Sequence, residues 1–243
     1  MEEYQSERYS AFISERLEAL RSLIGEACAR AGRDPREVEL LAVSKTVGPD
    51  EVRLAMAAGQ RVFGENRPQE LKRKLTALRD SGGLDGIRFD MIGNLQKNKI
   101  NQVLGSAELI HSASSLHLAQ AIAKRAEARG ILARVLLEVN VSGEESKSGF
   151  SPDEVRSQIE DVISLGGIKV EGLMTMAPAH DASESRRTFS GLRDLADELR
   201  TRTGLPFGVL SCGMSDDFQI AVEEGSTLVR LGRIVFDERY RLD

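Results

Sequence analysis

Eight short apolar runs, most of them separated by helix-like stretches, constrain this chain more than any other feature. They are VELLAVSK (38–45), QRVFGEN (60–66), RFDMIGN (88–94), ELIHSAS (108–114), RVLLEVNV (134–141), VEGLMTMA (170–177), FGVLSCGMS (207–215) and STLVRLG (226–232). Runs this short, rich in Val, Leu and Ile and bounded by turn residues, read as strands. PDEVRLAMAAG follows the first run, PQELKRKLTALRDSG the second and LHLAQAIAKRAEARG the fourth. SPDEVRSQIEDVISLGG follows the fifth and ESRRTFSGLRDLADELRTRTG the sixth. Several of these open on Pro or a Ser/Asp cap with acidic first turns and close on Gly, the chemistry that starts and stops helices. The third and seventh connections, around 96–104 and 216–224, are shorter. Strands alternating with helices build a parallel sheet, and eight of them close a barrel. An open doubly wound sheet usually carries a glycine-rich first turn, and SKTVGPD contains no GxGxxG.

The expectation is therefore an α/β fold, a single (β/α)8 TIM-type barrel with an extra N-terminal helix. One domain is expected over 1–243, the helix within 1–34 and the barrel in 35–243. The helix reads from about residue 6 to 31, where Phe12, Leu17, Leu20, Leu23, Ile24 and Ala27 recur every three or four positions until Gly32 stops it.

Composition narrows the function classes. With 41% apolar and 29% charged residues the chain reads as an ordinary globular protein. A net charge of −5 argues against a duplex nucleic-acid partner, which selects a basic face. Cys28 and Cys212 stand far apart and in no motif, which points to a reducing compartment. MEEYQSERYS has no apolar core of a secretory signal, and no run approaches the length that spans a bilayer. A cytoplasmic protein without a membrane partner is expected. His111, His117 and His180 show no metal-ligand spacing, so no metal is expected, and CGMSDD is not a hydrolase elbow.

In barrels of this type chemistry sits at the C-terminal ends of the strands, with phosphate often held after the seventh and eighth. Those ends offer Lys45, Asn66, Asn94, Ser112 with Ser114, Asn140, Thr175, Ser215, and Arg230 with Gly232. Glu65 and Glu138 alternate with rim residues and can face either way. The rim suits a polar anion. The ordinary reading of Lys45 is a lysine that snorkels into water or forms an ion pair. Its sharper reading is a desolvated amine, competent to attack an aldehyde. Gly213 and Ser215 precede a helix start, where free N–H groups attract anions, although Ser215 can equally be a plain N-cap. VRLGR adds the N–H groups after Gly232 and the side chain of Arg233. A phosphate-sugar barrel enzyme would use the same parts and remains an alternative.

These residues carry a resemblance. LLAVSKTVGPDEVRLAMAAGQRVFGENRPQEL is similar to the cofactor-lysine region of the pyridoxal phosphate homeostasis proteins. IGNLQKNK, NVSGEESKSGF, VEGLMTMAP and LSCGMSDDFQIAVEEGSTLVRLGRIVF resemble that family's other signatures in the same order, over roughly 36 to 236. The resemblance implies an alanine-racemase-like barrel with pyridoxal 5′-phosphate as a Schiff base on Lys45. It places Asn66 beside the ring, Arg230 at the pyridine nitrogen, and Ser215, Gly232 and Arg233 around the phosphate, the last two mainly through backbone N–H groups. Lys147 becomes a mobile second lysine near the pocket, its ordinary alternative being a solvated loop charge. The family commonly has His at Asn94, Ser at Lys97, Thr at Arg233 and Gly at Asp237. Asn94 cannot titrate near neutrality, whereas the Arg233 guanidinium can pair with an anion bidentately.

Two functions then compete: a protein that keeps and delivers the cofactor, with apo enzymes as recipients, and a racemase-like enzyme. Arginine at the pyridine nitrogen keeps that nitrogen unprotonated and weakens the electron sink. Racemisation also needs two positioned bases. The related racemases draw the second, a tyrosine, from a β-rich domain, and none is expected in a chain that stops at Asp243. Tyr4, Tyr9 and Tyr240 lie in terminal segments where surface packing is the expected role. The carrier, a monomer or weak dimer, is the favoured expectation.

Overall fold

Each apolar run forms one strand: β1 (Glu39–Val43), β2 (Val62–Glu65), β3 (Arg88–Met91), β4 (Ile110–Ala113), β5 (Ala133–Glu138), β6 (Ile168–Met174), β7 (Val209–Ser211) and β8 (Leu228–Leu231). In the computed structural model these pair in parallel, in sequence order, and β8 pairs back onto β1 to close a barrel. Residues 3–80 and 83–242 are described. The expected stop of the second-run helix at 81–82, the Tyr4 side chain and Asp243 lie outside the described residues.

The helices are α1 (Glu3–Arg30), α2 (Pro49–Ala57), α3 (Pro68–Asp80), α4 (Ile100–Val103), α5 (Leu116–Glu127), α6 (Pro152–Ile163), α7 (Ala182–Thr203), α8 (Phe218–Glu223) and α9 (Arg233–Phe236). Their ends follow the cap chemistry of the sequence. Ser151 accepts the Glu154 N–H at 3.2 Å while the Glu154 carboxylate accepts the Ser151 N–H at 2.7 Å, a reciprocal cap that satisfies two otherwise free donors. Asp181 caps α7, and Gly204 closes it at φ 72°, where a side chain would be strained. The two short connections carry only short helices, α4 behind a 3-10 turn at Lys97–Lys99 and the six-residue α8.

The expected N-terminal helix starts at Glu3 and buries Ile13, Leu17, Leu20, Ile24, Ala27 and Cys28, with Phe12 and Leu23 half-buried at the margins of the stripe. That stripe packs against α2, α8 and α9. The helix after β8 has only four residues. α1 therefore lies where a full eighth helix of the outer layer would, between the helices that follow β7 and β1.

Outward strand residues join these helices in the core. Inside the barrel two small apolar groups, Leu41 with Val43, Val62 and Leu228, and Leu109 with Leu136 and Met174, share the space with buried Asp90, His111, Ser211 and Arg230. Among the described residues no helix is long and apolar enough to cross a membrane.

Candidate functional site

Strand register brings Lys45, Asn66 and Gly232 to one rim. Val43 is level with Gly64, and Ser44 N donates to Gly64 O at 2.9 Å. Two residues further on, Lys45 therefore comes beside Asn66. On the other side Ala42 is level with Leu231, and a Cβ on Gly232 would meet the Val43 Cβ at 3.3 Å, so Gly232 reaches the same rim. Asn66 is held from behind as well. A Cβ on Gly93 would stand 2.2 Å from the Asn66 carbonyl oxygen, an approach only glycine permits.

Lys45 corrects one expectation. It is exposed, two residues past the end of β1 and inside a turn, rather than desolvated by the barrel mouth. The buried ammonium is another one, Lys74 on α3. Its Nζ donates to Ser44 O at 2.5 Å and to the Glu65 carboxylate, with the two side chains 1% and 0% exposed. Glu65 points outward from β2 toward α3. It also accepts from Ser44 Oγ at 3.1 Å and from Asn66 N at 2.9 Å. One buried ion pair thus ties together the residues that precede and adjoin Lys45 and Asn66. The sequence carried a signal for it: Leu71, Lys74, Leu75 and Leu78 share one helical face, so the lysine stands in an apolar stripe.

Arg230 lies inside the barrel, 6% exposed. Its Nη1 donates to Ser211 O at 2.7 Å and Ser211 Oγ at 2.6 Å, and its Nη2 to Thr175 O at 3.0 Å. Burial pulls the guanidinium below its ordinary range while Cys212, Asp217 and Glu138 push it back up. Glu138 settles the other open orientation by lying inside. Burial raises its carboxyl above the usual range, opposed by the hydrogen bond from Ser148 and the charge of Arg230. Cys212, behind Arg230, is pushed up to about 11 by burial and stays a thiol.

Beyond β8, on the neighbouring strand end, Ser215 is not the cap of α8. Asp217 occupies that position, and the Ser215 hydroxyl lies 3.4 Å from Ile234 N in the first turn of α9. Ser215, Gly232 and the N–H of Arg233 accordingly converge. The Arg233 side chain does not: it pairs with Asp216 at 2.9 Å and lies over the Tyr240 ring. Tyr240 Oη is 2.5 Å from the same carboxylate, and Asp217 accepts Met214 N at 2.6 Å. Both acidic groups that would oppose an anion are thereby engaged elsewhere, and Tyr240 has a partner at the site rather than mere surface packing. A cleft of about 400 Å³ is lined by Ser215, Asp216, Tyr240 and residues of α8, and Lys45 is not part of that lining.

Lys147 is largely covered rather than a solvated loop charge. Its side chain is 19% exposed, paired with Glu144 at 3.0 Å and donating to Met176 O at 3.3 Å. Asn140 braces that loop by donating to Glu144 O at 2.8 Å. Asn94 is exposed, and Lys97 lies beside His117. Thr175 and Ser112 spend their hydroxyls on Val139 O and Gly93 O. The rim that remains is one reachable amine, an amide beside it, an arginine below, and a hydroxyl with backbone N–H groups on the neighbouring β7–β8 side.

Barrels with this arrangement form a recognised class. Residues 16–239 match the family described as the alanine racemase N-terminal domain. At a finer level, the pyridoxal phosphate homeostasis protein of Aquifex aeolicus is 43% identical over 226 residues, covering 93% of this chain and 97% of that one. The Escherichia coli protein of the same name is 36% identical, with 93% and 97% covered. This chain belongs to the pyridoxal phosphate homeostasis protein family. Among solved structures, PipY of Synechococcus elongatus with pyridoxal phosphate bound superposes with a TM-score of 0.81 at 34% identity, over 92% of this chain and 99% of that one. An alanine racemase from Corynebacterium glutamicum, 19% identical, shares the fold with a TM-score of 0.71, covering 93% of this chain and 61% of its own.

Proposed function

We propose that this chain, as a single barrel unit, binds pyridoxal 5′-phosphate as a Schiff base on Lys45 and serves to keep and deliver it rather than to turn over amino acids. The observation that carries the reading is the convergence at one rim of Lys45, Asn66 and Gly232, with buried Arg230 below them. The residues also fit the group by an independent criterion. Among the described residues, Asn66 Oδ1 is buried without a hydrogen-bond partner, a cost that a ligand offering a donor there, such as a ring hydroxyl, removes. When bound, the cofactor supplies an aldehyde for the lysine amine and, in enzymes that use it, an electron sink.

Each residue then has a task. Lys45, being exposed, is reached by an aldehyde in solution without rearrangement. Asn66 flanks the ring, and Arg230, which stays charged, faces the ring nitrogen and cannot accept a proton there. The Ser215 hydroxyl and the N–H groups of Gly232 and Arg233 receive the phosphate, while the Arg233 guanidinium neutralises Asp216 instead of the ligand.

The carrier reading over the enzyme rests on the bases. Tyr9 Oη donates to Phe236 O at 2.7 Å, Tyr240 contacts Asp216, and Lys147 contacts Glu144 and Met176 O, so each of these three side chains, among the described residues, has a protein partner. Names and bound ligands of the relatives agree with this reading. Apo enzymes that need the cofactor are the proposed recipients, the location is cytoplasmic, and the protein works as a monomer or weak dimer.

The test is borohydride reduction of the protein loaded with pyridoxal 5′-phosphate, followed by peptide mapping. The adduct is expected on Lys45 and is lost in Lys45→Ala with the fold intact; mapping to another lysine rejects the assignment. Racemisation of free amino acids at about 1 per second or faster would overturn the carrier reading.

A further inference from the structure

Below the rim, a line of buried polar contacts crosses the barrel, and hydrogen-bond chemistry fixes the direction of each proton in it. Asp90 Oδ2 lies 3.1 Å from His111 Nε2, and Arg88 donates to the same carboxylate through two contacts of 3.0 Å, one to each oxygen. A carboxylate held by a guanidinium only accepts, so Nε2 of His111 carries the hydrogen. In the neutral ring Nδ1 is then bare. The Ser211 hydroxyl, 3.0 Å away, donates to it. That leaves the Ser211 oxygen turned toward Arg230 Nη1 at 2.6 Å, as an acceptor for a group that can only donate. Asp90, His111 and Ser211 are all fully buried. Arg88 continues the line to Glu39, 2.6 Å away.

We infer that His111 is a positioning residue for the cofactor: its bare Nδ1 takes the Ser211 hydroxyl hydrogen, so that the Ser211 oxygen clamps Arg230 in the orientation that faces the pyridine ring. This rests on the reading that Arg230 meets the ring of pyridoxal 5′-phosphate. With the hydroxyl turned the other way, its hydrogen would oppose the Arg230 N–H and leave the guanidinium with its two carbonyl acceptors. A protonated His111 would release the hydroxyl in the same manner. The charged groups facing the imidazole are Asp90 and Arg88 from β3 and Arg230 from β8. Burial lowers the affinity of His111 for a second proton; Asp90 opposes this and the two guanidiniums add to it.

Two experiments test the clamp. In the cofactor-free protein with 15N-labelled histidine, NMR is expected to show His111 neutral with the proton on Nε2. A proton on Nδ1, or an imidazolium, overturns the inference. In the loaded protein, His111→Phe leaves the Ser211 hydroxyl without its acceptor. It is expected to weaken cofactor binding about tenfold, the effect of one lost charge-assisted hydrogen bond, and to move the visible absorbance band of the bound cofactor. His111→Gln, whose amide can accept from Ser211 and donate to Asp90, restores both. Should His111→Phe fail to fold, Ser211→Ala removes the same bond and is expected to reproduce both changes. A folded His111→Phe or Ser211→Ala protein with wild-type affinity and band overturns the clamp alone. Wild-type protein with no adduct on Lys45 overturns it together with the proposed function.

Discussion

Replacing Lys74 by methionine keeps most of the side-chain stem and deletes one buried charge. The ammonium contacts Ser44 O at 2.5 Å, Ser44 Oγ at 3.3 Å and the Glu65 carboxylate, all out of contact with water. Removing one partner of a buried pair costs about 3–5 kcal/mol, because the other charge stays behind uncompensated. Here the stranded Glu65 keeps donors in Ser44 Oγ at 3.1 Å and Asn66 N at 2.9 Å, with Arg67 N at the 3.5 Å limit. The expected loss is therefore at the lower end, about 3 kcal/mol, or about 6–12 °C in Tm for a domain of this size. Urea unfolding followed by circular dichroism measures it. Glu65→Gln and the double variant complete a thermodynamic cycle. The double variant is expected to cost about 1–3 kcal/mol less than the sum of the singles, since neither charge remains without its partner. A loss below about 1 kcal/mol for Lys74→Met, or singles that add within about 0.5 kcal/mol, refutes the reasoning. Borohydride labelling of Lys45 in the folded Lys74→Met protein should persist, because the pair supports that lysine without reacting.

Two further outcomes follow from the electrostatics. The folded protein resists protonating His111, whereas the unfolded imidazole takes a proton near pH 6.5, so the unfolded state binds more protons below that pH and stability falls there by up to about 1.4 kcal/mol per pH unit. His111→Gln should flatten that slope relative to wild type, and identical slopes in the two proteins would exclude the buried neutral ring. Arg233→Ala leaves Asp216 unneutralised beside the anion hole. Affinity for inorganic phosphate should drop by at most about fivefold, the scale of an exposed pair, and shrink further in high salt; an unchanged affinity at low salt would show that the pair does not matter to the anion.

The barrel was legible because its evidence is local. Each strand is an apolar run, and Ser151, Asp181 and Gly204 mark helix ends by chemistry that acts within three or four residues. The rim was legible for a related reason: in a parallel barrel every strand finishes at the same end. What escaped the sequence depends on contacts between distant segments. Lys74 stands in the apolar stripe of α3, yet only the fold reveals that its ammonium reaches Ser44 and Glu65. Asp90, His111 and Ser211 come from three strands, and nothing in the composition of any one of them announces a line of contacts. Of the two readings of Lys45, the amine desolvated at the barrel mouth gives way to the lysine that reaches water, because β1 ends at Val43 and the turn carries the side chain outward. Arg233 looked free to pair with phosphate until the neighbouring Asp216 and Tyr240 were seen to engage it.

The seam between β8 and β1 has a consequence for biosynthesis. Glu39 through Ala42 pair with Leu228 through Leu231, so the oldest strand of a nascent chain waits for the youngest before its edge is covered. Pairings this remote in sequence are slow, and an uncovered edge is a template for association with other chains. Because Arg230 and Gly232 arrive on the closing strand or directly behind it, a half-made barrel has no half-made pocket. The aggregation hazard ends and ligand competence begins with the same pairing, that of β8 onto β1.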